Sequence, residues 1–107
     1  MSFKQDRFEE ILRDMAARFI ALESNRKSLI TVTRVDATDM GDTATIFFTV
    51  FPDNQEDAAL DFLKRQRSDF RAFVKENARL MRIPFFDFQI DKGERARQKI
   101  DAVTIQP

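Results

Sequence analysis

Between residues 64 and 82 the sequence sets Lys64, Arg67, Arg71, Lys75, Arg79 and Arg82 at successive spacings of three or four, with Arg65 beside them. At about 100° per residue a helix brings that series onto one face. Arginines outnumber lysines five to two here, and only Asp69 and Glu76 oppose them. A planar guanidinium forks onto two phosphate oxygens where an ammonium offers a point charge, so the stripe suits a phosphate backbone. Each cation that meets a phosphate also releases counterions and adds salt-dependent affinity. A second reading stands beside this one. Residues 53–63 hold Asp53, Glu56, Asp57 and Asp61 with no cation, and an acidic start with a basic end complements a helix macrodipole while merely solvating its surface.

Covalent chemistry finds few instruments in this chain. Histidine and cysteine are both absent, which removes the commonest general base, thiolate nucleophiles, disulfides and zinc-finger ligands. The two glycines, Gly41 and Gly93, stand too far apart for a phosphate-cradling loop. Asp36 with Asp39, and Asp87 with Asp91, could in principle bind a metal; without a histidine or a shaped loop they read as turn and strand-edge charges. The expectation is a protein that is not an enzyme and uses no cofactor, metal or small-molecule substrate. The longest uncharged stretch, Thr43 to Pro52, is too short to span a bilayer, and the first residues are charged and polar, so a cytoplasmic protein without a membrane partner is expected. The 107 residues suit one domain, 1–107, with about 92–107 as a short C-terminal extension. Lys and Arg number 18, as do Asp and Glu, so the chain lacks the basic excess that often marks nucleic-acid binders.

Several elements must position the stripe. Phe8, Ile11, Leu12, Met15, Phe19 and Leu22 predict a helix from about Lys4 to Glu23, opened by a capping box of Ser2 and Gln5. LITVTRVDA (29–37) and ATIFFTVF (44–51), joined by a turn around Gly41, predict a β-hairpin. On the second strand Ala44, Ile46, Phe48 and Val50 share one face; Thr45, Phe47, Thr49 and Phe51 share the more exposed one. Asp53 and Glu56 have the spacing of a capping box for a long helical segment to about Met81, with a kink or a fresh start at Ser68 and Asp69. Pro84 stops it, FFDFQID (85–91) alternates as a third strand, and ERARQKIDAV supplies a short docking helix. The order α-β-β-α-kink-α-β implies an α+β two-layer sandwich, a three-stranded sheet with helices on one face.

QDRFEEILRDMAA, LITVTRVDATDMGDTATIFFTVF and above all ALDFLKRQRSDFRAFVKENARLMRIPFFDFQID resemble bacterial ribosome-binding factor A, from about Phe3 to Arg97. The resemblance implies a KH-like fold of type II in a monomeric, cold-shock-associated factor that binds the immature 30S subunit and assists late maturation of 16S rRNA. It also implies rRNA contacts from Lys64, Arg65, Arg67, Arg71, Lys75 and Arg79, with Arg82 and Arg34 at the rim. Ordinary KH domains clamp nucleotides with a Gly-x-x-Gly loop, which this chain lacks. The family's Ala-x-Gly kink falls on Gln66, Arg67 and Ser68, where the missing glycine implies a milder kink or one capped by Ser68. Asp69 repels a phosphate, so recognition of backbone and shape is expected rather than sequence-specific readout of a single strand. The rival readings are a general RNA-binding KH-like domain and a protein-interaction module that uses Phe47 and Phe51 on the open sheet face.

Overall fold

In the computed structural model, which describes residues 3–23 and 27–105, the first apolar stripe forms helix α1 (Phe3–Glu23). Leu12, Met15, Ala16, Phe19 and Ile20 are its buried positions, one face turned to the sheet. Ser2, half of the expected capping box, lies outside the described residues; Gln5 donates from Nε2 to the Ala37 carbonyl at 3.1 Å.

Strands β1 (Leu29–Ala37) and β2 (Thr43–Phe51) pair antiparallel, Leu29 opposite Phe51 and Ala37 opposite Ala44. Gly41 turns the hairpin at φ 72°, a conformation that costs glycine little. Strand β3 (Phe85–Ile90) runs parallel to β2, Phe85 opposite Thr43 and Ile90 opposite Phe48, which makes β2 the central strand. A parallel neighbour requires a crossover. A short 3-10 turn (Asp53–Gln55), helix α2 (Glu56–Arg65) and helix α3 (Arg67–Asn77) supply it.

Ala59, Leu63, Phe70 and Val74 from the crossover meet Ala44, Ile46, Phe48 and Val50 of β2 and Phe86 and Phe88 of β3 in one core. Phe70 is its hub: its ring centroid lies 4.6 Å from Phe86, 5.3 Å from Phe19 and 5.7 Å from Phe88. The phenylalanine-rich composition thus serves tilted and edge-on ring packing. In β1 the register slips between Val32 and Arg34, so Val32 and Val35, three residues apart, both reach the core. Alternation alone does not anticipate such a bulge.

Four local expectations change. Helix α3 stops at Asn77 rather than near Met81: Ala78 is extended, its N–H donates to the Val74 carbonyl at 2.9 Å, and Asn77 Nδ2 donates to the Phe73 carbonyl at 2.9 Å. Asp53 and Glu56 form no capping box, because Glu56 accepts from Arg95 and Asp53 from Lys99, each at 2.8 Å. Those two ion pairs tie down helix α4 (Lys92–Ile105), which is longer than a short docking helix. Nor does Ser68 cap anything; it lies inside α3, which begins without a side-chain cap.

Candidate nucleic-acid interface

A single residue interrupts the crossover helix. Gln66, at φ −93° and ψ 7°, ends α2 and precedes α3. Its N–H is shared between the Phe62 carbonyl at 3.2 Å and the Leu63 carbonyl at 3.0 Å, and its own carbonyl accepts from Phe70 N–H at 2.8 Å. The hydrogen-bond ladder is therefore nearly continuous across the break, and no glycine is needed.

The break divides the cations. Lys64 and Arg65 close α2, while Arg67, Arg71 and Lys75 follow on α3. Arg79 and Arg82 lie beyond α3, in the segment leading to β3, and share a second hollow with Arg7, Phe8 and Met40. Arg82 donates to the Met40 carbonyl at 3.0 Å and to Asp42 at 2.7 Å, which pins this segment to the hairpin turn. The six-residue stripe suggested by the spacing thus extends only as far as Lys75.

Besides Arg82, three of these side chains have work inside the fold. Lys64 Nζ and Arg67 NH1 lie 3.3 and 3.4 Å from the same oxygen of Asp87, and Arg67 Nε donates to the Lys64 carbonyl at 3.0 Å. Arg71 donates from Nε to the Pro84 carbonyl at 3.1 Å and from NH2 to the Ile83 carbonyl at 2.9 Å, and its guanidinium sits 4.7 Å from the Phe85 ring centroid. Arg65, Lys75 and Arg79 are exposed and meet no carboxylate among the described residues. Arg67, Ser68, Arg71, Ala72 and Lys75 line a cleft of about 580 Å³ together with Phe85 and Phe86.

Two carboxylates are shifted by their surroundings. Burial, the largest single effect, pushes Asp87 up, yet the Phe88 N–H, the Lys64 hydrogen bond and the charges of Lys64 and Arg67 together leave it below the ordinary range. Asp91 behaves alike: burial raises it, and the Thr33 hydroxyl at 2.6 Å, the Glu94 N–H at 3.0 Å and the Arg34 guanidinium overcome that. Asp91 is an N-cap for α4, its oxygens taken by the Glu94 N–H and the Thr33 hydroxyl, whereas Asp87 meets Lys64 and Arg67. Asp91 followed three residues later by Glu94 is a capping-box pattern that the sequence displays and that charge pairing obscured. On the outer sheet face Arg34 covers Phe47 at 3.8 Å, so Phe51, 72% exposed, is the open aromatic there. Phe85, 69% exposed, is the aromatic beside the cations; its outward place in FFDFQI was the signal.

The sequence profile of the family described as "Ribosome-binding factor A" matches residues 4–104. A protein of that name from Neisseria meningitidis is 30% identical over 92 residues, covering 84% of this chain and 75% of the relative. One from Neisseria gonorrhoeae is 27% identical over 105 residues, covering 96% and 85%. The crystal structure of ribosome-binding factor A from Thermus thermophilus superposes with a TM-score of 0.73 at 23% identity, covering 80% of this chain and 94% of that one. The shared fold is a KH-like α+β arrangement, and this chain carries no Gly-x-x-Gly sequence.

Proposed function

Because the chain belongs to the ribosome-binding factor A family, we propose that it is a non-enzymatic assembly factor that docks on the immature 30S subunit and assists late maturation of 16S rRNA. The carrying observation is the state of the cations around the break in the crossover helix. Arg65 and Lys75 are exposed without a carboxylate partner among the described residues, as is Arg79 beyond the end of α3, and Lys64 and Arg67 share one half-exposed anion. Such groups are available to phosphates at little cost, because exposed ion pairs are weak. Arg71 contributes indirectly, holding the chain before β3 in place.

A factor with no catalytic group acts through differential affinity. Binding one rRNA conformation more tightly than another shifts the population by that difference. The protein works as a cytoplasmic monomer without a cofactor, and its association with growth in the cold belongs to the same proposal.

Sedimentation with immature and mature 30S subunits over a salt series tests the reading, using an Arg65→Glu, Lys75→Glu double variant. Neither residue meets a carboxylate among the described residues, so the variant should keep its fold, which thermal melting checks. With about three phosphate contacts, affinity falls roughly 40-fold between 50 and 200 mM salt, and the variant stays in the supernatant. Salt-independent pelleting, or a variant that pellets equally well, refutes the role of these cations. Impaired 16S processing in a depletion strain, most severe at low temperature, tests the maturation step.

A further inference from the structure

Phosphate docking leaves one feature of the cleft unused. Phe85 opens β3 on the outward side of the alternation that buries Phe86 and Phe88, and its ring is 69% exposed. Leaving a ring of that size in water forgoes about 1.5–3 kcal/mol of burial. The residue is nevertheless firmly held: its N–H donates to the Asp42 carbonyl at 2.9 Å, and it follows the buried Pro84. The guanidinium 4.7 Å from its centroid is Arg71, itself fixed to the Ile83 and Pro84 carbonyls. Ring and cation are thus anchored to one another and to the strand end.

The wall opposite is helical and graded in size. Ser68 and Ala72 lie four residues apart, between Arg67, Arg71 and Lys75, and all five line the cleft with Phe85. The Arg71 guanidinium covers one face of the ring, and short side chains alternate with cations along the rest of the cleft.

We propose that this cleft receives one unpaired nucleotide of rRNA, its base stacked on Phe85 and its neighbouring phosphates met by Arg67 and Lys75. The inference rests on the ribosome-binding reading and adds the ligand class at its centre. Unstacked bases are taken by aromatic rings and guanidinium planes, and such stacking tolerates any base because each has a π-face. This agrees with the absence of a Gly-x-x-Gly clamp, since stacking needs no sequence readout. Charge complementarity decides against an apolar protein partner: covering Phe85 with apolar side chains would bury Arg67 and Lys75 away from water with too little anion to meet them. A nucleotide brings both the flat apolar face and the negative charge.

The test uses the whole chain with Phe85→Leu and Phe85→Trp, each shown by thermal melting to fold. Leucine keeps apolar bulk and removes the π-face; tryptophan keeps both. The probe is a single-stranded oligoadenylate of about ten nucleotides carrying one 2-aminopurine, set against a duplex of equal length. Wild type and Phe85→Trp should quench the fluorescent base, whereas Phe85→Leu should bind the strand about 5- to 150-fold more weakly and quench little. Duplex binding should not depend on residue 85. Equal strand affinity and quenching for Phe85→Leu overturns the stacking site. If wild type then still sediments with 30S subunits, the ribosome reading survives that result; if it sediments with neither subunit nor strand, both fall together.

Discussion

Asp87 is the anion to remove first. It holds Lys64 at 3.3 Å and Arg67 at 3.4 Å, with the three side chains 36%, 40% and 49% exposed, so each contact belongs to the surface class of about 0.2–1 kcal/mol. Asp87→Asn keeps an oxygen acceptor for the Phe88 N–H and abolishes both ion pairs. The folded state should lose about 0.4–2 kcal/mol, seen as a fall of several degrees in Tm. Binding should move the other way. If Lys64 and Arg67 leave Asp87 to meet phosphates, the wild type forfeits those pairs on binding and the variant does not, so its affinity for 30S subunits rises about 2- to 30-fold. Calorimetric melting and subunit sedimentation at one ionic strength, near 0.1 M, read the two effects separately. A variant with lower Tm and unchanged or weaker affinity refutes the reasoning, because the two cations would then remain on the protein in the complex.

Acid should expose the same groups. The folded-state pKa values of Asp87 and Asp91 are depressed, so their stabilisation is complete above the unfolded value of about 4 and is lost as pH falls through the folded values. Urea unfolding at pH 7, 4 and 3 should therefore show an acid loss that is shallower in an Asp87→Asn, Asp91→Asn variant, and parallel curves would contradict it. Phe70→Ala removes the hub shared by Phe19, Phe86 and Phe88 and should cost about 3–5 kcal/mol in denaturant unfolding. Gly41→Ala leaves ordinary contacts of 3.8 Å or more around the new Cβ, so its cost of about 1–2 kcal/mol should come only from the positive φ and should leave subunit binding intact.

What could be read from the chain followed from periodicity. FFDFQI announces a strand by placing Phe86 and Phe88 inward, and Leu12, Met15 and Phe19 announce α1, because these patterns depend only on neighbours along one element. A break was also visible, as an over-long helical segment, but it falls at Gln66 and not at Ser68 and Asp69, and its cause lies in shared backbone bonds and not in a serine cap. The site was less legible. A spacing of three or four can be continued past Asn77 on paper, but the chain leaves the helix there, and Arg82 reaches back across 40 residues to Asp42. Arg71 looks like its neighbours in sequence; only the approach of Ile83 and Pro84 makes it a structural tie. Contacts between distant segments write nothing into local spacing.

Net charge misled for a related reason. A total of zero counts every side chain as equally available, yet the fold distributes its pairs unevenly. Glu56 and Asp53 at the acidic start of the crossover are met by Arg95 and Lys99 of α4. Those cations therefore spend their charge on anions that would otherwise lie along the same crossover as the stripe. From Lys64 to Lys75, by contrast, one carboxylate, Asp87, serves two cations through long contacts, and Arg65 and Lys75 keep none among the described residues. With a Debye length near 10 Å at 0.1 M salt, a phosphate approaching this cleft responds to the local imbalance and scarcely to the far end of the molecule. Helix α4 thus pairs with two of the four carboxylates between residues 53 and 63, and the cations from Lys64 to Lys75 make a locally cationic surface on an overall neutral chain.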